Sequence, residues 1–273
     1  MNTLRGKNAI LTGGSRGIGP YIGRALASEG VNLAVVALSR NPLEKTVREL
    51  ATQRVKAVAI VADISDSNDR TALLQQAEAA LGPIDILVNN AAIQETSRFD
   101  RQSPKTVIQT METNLTGPIL LIQEVLPAML KRRSGHIVNI GSVAGKKGLP
   151  YNATYAASKA GIIEWTNAMQ FELEGSGVGA SVVCPGFIAG AGKFARDNMR
   201  APRLAGASSP DQVARAVIRA IRYNLQEVLV SPGPIRFLLI LNTLSPALGN
   251  RLLRRMGVVD LFRPFAEPER GNS

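Results

Sequence analysis

The sequence predicts a doubly wound α/β fold: a seven-stranded parallel sheet with helices on both faces, followed by a C-terminal helical extension. Three observations lead to it. Seven short apolar runs bounded by turn residues recur along the chain, at NAILTGG, NLAVVAL, AVAIVAD, IDILVNNA, HIVNIGS, ASVVCPG and EVLVSPG. Between most of them lie helically patterned stretches, GPYIGRALASEG, NPLEKTVRELATQ, NDRTALLQQAEAALG and GPILLIQEVLPAMLKRR. Strands alternating with helices of this length make βαβ units, whose parallel sheet is covered on both sides. The 273 residues, 45% of them hydrophobic, suffice for one such domain and are short for two. Residues 1–230 are expected to form the sheet domain and 231–273 the extension.

Sheets of this kind place ligands at the carboxyl ends of their strands, so the residues after each run carry the functional signal. After the first, TGGSRGIG places Gly13, Gly17 and Gly19 where a tight turn brings backbone N–H groups to a pyrophosphate at a helix N-terminus. Ser15, Arg16 and Ile18 are expected to share that contact. Pro20 suits the first turn of the following helix, where its missing donor has no intrahelical partner anyway. After the second run, Ser39 stands where an acidic residue would bind ribose hydroxyls, and Arg40 follows it. A missing carboxylate with two guanidiniums, Arg16 and Arg40, suits a 2′-phosphate, which favours NADP(H) over NAD(H).

After the third run, Asp63 either accepts from an adenine amino group or caps the next helix, with Ile64 beside it. The fourth ends in NNAA, residues 89–92, where Asn90 can tie neighbouring strand ends and Ala91 permits close cofactor contact. The fifth ends in NIGSVAG and puts Ser142 at the mouth of the sheet. The sixth ends in Pro185 and Gly186, with Ile188 beyond, and PGFIAGAG offers no hydroxyl. The stretch YNATYAASKAG holds two tyrosines, Tyr151 and Tyr155, but only Tyr155 lies four residues before a lysine, Lys159. On a helix that spacing puts phenol and ammonium on one face, one turn apart. A fixed cation there would lower a phenol pKa from about 10 and suit it to proton transfer.

Over its first 190 residues or so, the chain resembles the short-chain dehydrogenase/reductase family in its form with a TGxxxGxG loop, an NNAG-like strand end and a YxxxK pair. The loop glycines match Gly13, Gly17 and Gly19, and NNAG matches residues 89–92 with Ala92 for glycine. The resemblance implies a Rossmann-like fold and a tetrad of Asn114, Ser142, Tyr155 and Lys159. By the same resemblance, Tyr155 protonates a carbonyl oxygen that Ser142 polarises. Lys159 binds the nicotinamide ribose and depresses the tyrosine pKa, while Asn114 holds a water that refills the proton. Tyr151 is expected on the approach to the pocket. The family's frequent threonine after the PG segment is missing. A catalytically silent NADP(H)-sensing or scaffold protein is the alternative, although such a protein is expected to lose part of the tetrad.

Composition bounds the remaining classes. A single cysteine, Cys184, allows no internal disulfide, and with one histidine, His136, no Cys/His metal cluster can be assembled. His136 opens an apolar run and reads as a structural histidine rather than a hydrolase base. The formal charge of +11 raises the question of nucleic acid, but 4% aromatic content and no recognition motif argue against it. No signal-type segment opens the chain, so a cytoplasmic product is expected.

Charge concentrates late: residues 191–273 carry 13 Lys and Arg against 6 Asp and Glu. Residues 232–262 combine apolar runs with prolines at 232, 234 and 246 and arginines at 251, 254 and 255, read as two helices with apolar faces and basic flanks. Packing over the active site, a dimer contact and docking on a membrane surface all fit them. Each points to a hydrophobic carbonyl or alcohol substrate such as a long-chain ketone, aldehyde or acyl thioester. Apolar faces in 106–130 and 154–174, which pair across a two-fold axis in the family, imply a homodimer or homotetramer.

Overall fold

Alternation within the strands builds the layers. In β1 (Asn8–Thr12), Ala9 and Leu11 face one side of the sheet and Ile10 the other. In β2 (Asn32–Ala37), Leu33 and Val35 join the first side and Ala34 and Val36 the second. Both strands are buried on both faces, which is why they read as continuous apolar runs. With β3 (Ala57–Val61), β4 (Ile86–Asn89), β5 (Gly135–Ile140), β6 (Val178–Pro185) and β7 (Glu227–Val230) they form one sheet in the order β3-β2-β1-β4-β5-β6-β7. Every pair is parallel. The computed structural model describes residues 3–202 and 205–266.

On the first side pack α1 (Gly19–Ser28), α2 (Arg40–Ala51) and the later α9, through Ile22, Leu26, Leu43 and Leu50. On the second lie α3 (Ser67–Leu81), through Leu73 and Ala77, and the helices that follow β4. Pro20 does sit in the first turn of α1. The helix α4 (Pro104–Met111) continues into α5 (Gly117–Arg132) through a π turn at Glu112–Thr116, with Leu121, Val125 and Met129 of α5 in the core. A short α6 (Val143–Lys146) leads to the long α7 (Ala153–Glu172). After β6 come α8 (Gly192–Arg196) and α9 (Pro210–Tyr223), the latter opened by a capping box between Ser209 and Gln212.

The extension departs from expectation. It forms three helices rather than two: α10 (Ile235–Leu244), α11 (Pro246–Arg255) and α12 (Val258–Ala266). The reason is Gly257, whose positive φ of 74° turns the chain after α11 and lets Val258 and Phe262 return to the interior. Pro246 occupies the first turn of α11 behind the cap Ser245. Among the described residues no helix is long and apolar enough to cross a membrane.

Candidate active site

The strand order reverses between β1 and β4, and the loops leaving those two strands open a cavity of about 1000 Å³ at their carboxyl ends. Thr12 and Asn90 bind the two loops together. Thr12 Oγ1 accepts from the N–H groups of Asn90 and Ala91 at 3.0 and 3.1 Å. Asn90 Nδ2 donates back to the carbonyls of Thr12 and Gly13 at 3.0 and 2.9 Å. This contact requires glycine at two places: a Cβ on Gly13 would lie 2.6 Å from Ala91 Cα, and one on Gly19 would lie 2.2 Å from the Gly13 carbonyl oxygen. Close backbone approach leaves the N-terminus of α1 bare at the cavity floor, which fits a pyrophosphate.

Ser142, Tyr155 and Lys159 line the same cavity. Tyr155 and Lys159 stand one turn apart on α7, with Lys159 Nζ 5.9 Å from the phenol ring centre. Lys159 is buried and donates to the Ile140 carbonyl at the end of β5 at 2.7 Å. Burial brings its pKa down to about 8. Ser142 caps α6, its Oγ accepting from Ala144 N at 3.1 Å and donating to the Pro185 carbonyl at 3.5 Å, and it lies close enough to the Tyr155 phenol to act on its ionisation. The expected depression of the tyrosine pKa is not what this environment produces. Burial raises it, opposed by the neighbouring Ser142 hydroxyl and reinforced by Cys184, so the phenol is held protonated. The lysine that was to lower it spends a donor on Ile140 and is itself desolvated.

A second polar network fixes the loop after β4. Asn114 sits in the π turn, where Gly117 N bonds the Glu112 carbonyl instead of Thr113 and the wider turn aims its side chain inward. Its Oδ1 accepts from Ile93 N at 2.8 Å, and its Nδ2 donates to Ile93 O at 2.9 Å and to Ser158 Oγ at 3.1 Å. Both amide protons are spent on Ile93 O and Ser158 Oγ, so the side chain clamps the loop. Asn152 does the same from the start of α7, accepting from Gln94 Nε2 at 2.8 Å and Thr96 Oγ1 at 3.1 Å. A chain from Asn89 to Asn139 and on to Thr166, each link 2.9 Å, ties β4, β5 and α7 beneath the site.

Comparison with known proteins fits this geometry. Residues 7–199 match the family described as short chain dehydrogenase. The chain belongs to the short-chain dehydrogenase family. It is 43% identical over 272 residues to the ketoacyl reductase HetN of Nostoc sp. PCC 7120, covering 98% of this chain and 95% of that protein. It is 39% identical over 183 residues to a 3-oxoacyl-acyl-carrier-protein reductase FabG of Staphylococcus aureus, covering 67% of this chain and 74% of that one. A crystal structure of a metagenomic short-chain oxidoreductase in complex with NADP superposes with a TM-score of 0.72 at 31% identity, over 83% of this chain and 97% of that one.

Within this family member, most of the expected nucleotide residues line the one cavity: Gly13, Ser15, Arg16, Gly17 and Ile18 from the first loop, then Ser39, Asp63, Ile64, Asn90, Ala91, Pro185, Gly186 and Ile188. Gly19 lies beneath it as a packing requirement. Three expectations change. Arg40 is outside the lining and pairs with Glu44 one turn on, at 3.5 Å, with its side chain 70% exposed. Asp63 does not cap α3; Asp66 does, accepting from Asp69 N at 3.0 Å, while Asp63 accepts from Ser65 through Oδ1 and lines the cavity. Tyr151 is also displaced from its expected place. It packs with Leu149 and Phe187 against the extension and does not line the cavity.

The far wall is apolar and comes from elements that motif reading did not reach. Phe187 and Phe194 stack at 4.9 Å between ring centres, and Phe262 of α12 closes on them at 6.4 and 6.5 Å. Leu238, Leu253 and Val258 bury beside them and face the cavity. Lys147 at the rim donates to Asn250 Oδ1 of α11 at 2.6 Å and joins extension to catalytic loop. His136 is structural: buried in β5 with its Nε2 2.9 Å from Ser181 Oγ, it is pushed by burial down to about 3.

Proposed function

We propose that the protein is an NADP(H)-dependent oxidoreductase that interconverts a carbonyl and an alcohol on a hydrophobic substrate, with a 3-oxoacyl thioester as the favoured class. The observation that carries this reading is the convergence of Ser142, Tyr155 and Lys159 on the cavity that joins a glycine-floored cleft to an apolar chamber. The nucleotide, when bound in its reduced form, supplies a hydride. Tyr155 delivers its hydroxyl proton to the carbonyl oxygen, and the raised pKa keeps that proton in place until charge develops on the substrate. Ser142 donates to the same oxygen and stabilises the negative charge there. Lys159 carries donors toward the nucleotide ribose, and its cation favours the tyrosinate left after transfer. Gly13, Ser15, Gly17 and Ile18 hold the pyrophosphate, and Arg16 faces the 2′-phosphate beside Ser39, where no carboxylate repels it.

The ketoacyl reductases among the relatives and the apolar chamber both support the substrate class. The chain's further partners on this reading are a second copy of itself, paired through α4, α5 and α7, and a membrane surface at its periphery, in the reducing cytoplasm that a lone buried thiol suits. The test follows NADPH oxidation with a long-chain 3-oxoacyl thioester and with a short soluble ketone. Turnover of the thioester with higher kcat/KM than the ketone, and NADPH preferred to NADH, are the expected results. Equal use of both nucleotides, or no turnover of any carbonyl compound, would overturn the reading.

A further inference from the structure

The outer face of the extension is as unusual as its inner one. On α10, Phe237, Ile240 and Leu244 are 63%, 60% and 79% exposed, and Leu248 at the start of α11 is 43% exposed. The first three recur at i, i+3 and i+7, so they form one stripe along the helix, opposite the buried Leu238. The same two helices carry Arg236, Arg251, Arg254 and Arg255, all exposed. From Val228 to Val259 there is no Asp or Glu. None of these four arginines forms an ion pair among the described residues, whereas Arg263, just beyond, pairs with Asp260 at 3.3 Å. The stripe is also continuous with the site, because Phe237 both reaches solvent and lines the cavity.

We propose that this face lies on an anionic bilayer and that the mouth beside Phe237 opens toward the lipid, so that hydrophobic substrate passes from the acyl layer into the chamber. The inference rests on the hydrophobic-substrate reading for its second half only. Aliphatic side chains flanked by uncompensated guanidiniums match a headgroup region with acyl chains below it, a monotopic contact that needs no spanning helix. A second copy of the chain fits worse. Two such faces pressed together would bring eight arginines, four from each copy, near one another with no carboxylate in the segment to neutralise them.

The experiment uses the full-length protein and flotation with vesicles of phosphatidylcholine alone or mixed equally with phosphatidylglycerol. The expected result is retention on the anionic vesicles, weakened by salt and reduced at least about tenfold in Ile240→Asp/Leu244→Asp and in Arg251→Glu/Arg255→Glu. Both double variants are at solvent-exposed positions outside the cavity, so turnover of a short soluble ketone should stay within about twofold and report that they fold. Long-chain substrate presented in anionic vesicles should be turned over at least about tenfold less efficiently by the variants, while the same substrate in dilute solution is not. Absence of vesicle retention, or retention unchanged in the variants, overturns the proposal. So does a change in mass by light scattering confined to the variants, which would make the stripe a subunit contact. Selective loss of turnover on carrier-bound thioester without vesicle retention would assign it to an acidic carrier protein. Retention without any preference for long chains would keep the docking face and refute the hydrophobic-substrate reading instead.

Discussion

Tyr155 and Tyr151 sit four residues apart and have different fates, which makes them a matched pair for mutagenesis. Tyr155→Phe keeps the ring and removes the hydroxyl proposed to give its proton to the carbonyl oxygen, so kcat should fall by about 10³ or more while NADPH binding, read by fluorescence, stays near the parent. Tyr151→Phe removes a hydroxyl from a side chain packed against the extension and should leave kcat within about threefold. Exchange of the two phenotypes would reverse the assignment. His136 gives a pH test of the fold. Its folded pKa, about 3, lies below the ordinary 6.5, so the unfolded chain binds the extra proton first as pH falls. The stabilisation is complete above about 6.5 and declines by about 1.4 kcal/mol per unit as pH drops toward 3. Denaturant midpoints measured at pH 7 and 4.5 should show this slope, and His136→Gln should flatten it. What the sequence made legible at this scale was that Ser142, Tyr155 and Lys159 share one cavity, because YxxxK and the strand-end serine are local spacings. The sign of the Tyr155 shift was not legible, since desolvation depends on how many distant elements close over the ring.

At the level of elements, the junction of α4 and α5 shows how a helix defect serves the site. The π turn directs Asn114 at the Ile93 backbone, and no propensity rule predicts a π turn from the letters METNLTG. Asn114→Ala should leave the Ile93 N–H and carbonyl without partners in a buried setting. A loss of about 2–4 kcal/mol in urea unfolding is expected, together with a drop in kcat from the loosened loop; Asn114→Ala as stable as the parent would refute the clamp. The strands and the helices of the first 190 residues were readable because burial imposes its period directly on them. The extension was read as two helices because Gly257 looks like any glycine until the turn it makes is seen.

For the molecule as a whole, the catalytic sheet and the extension divide the labour. The expected nucleotide residues that line the cavity run from Gly13 to Ile188, whereas α10, α11 and α12 supply much of the apolar wall. A chain ending at Gly233 is therefore expected to bind NADPH within a few-fold of the parent by titration calorimetry. It should lose long-chain turnover more than short-ketone turnover, because only the long chain draws on the remote wall. Equal losses would make the extension a purely structural cover.

One ion pair bears on how such a chain comes into being. Arg222 at the end of α9 reaches Glu29 after α1 at 2.6 Å, across 193 positions, and the two helices lie side by side on the sheet. On a ribosome moving at about 5–20 residues per second, the apolar side of α1 would wait roughly 10–40 s for its cover to emerge. The first βαβ unit is thus synthesised early and finished late. For that interval the nascent chain exposes Ile22 and Leu26 to the surrounding protein, which makes it a client for a holdase at a stage when its glycine loop has already been made.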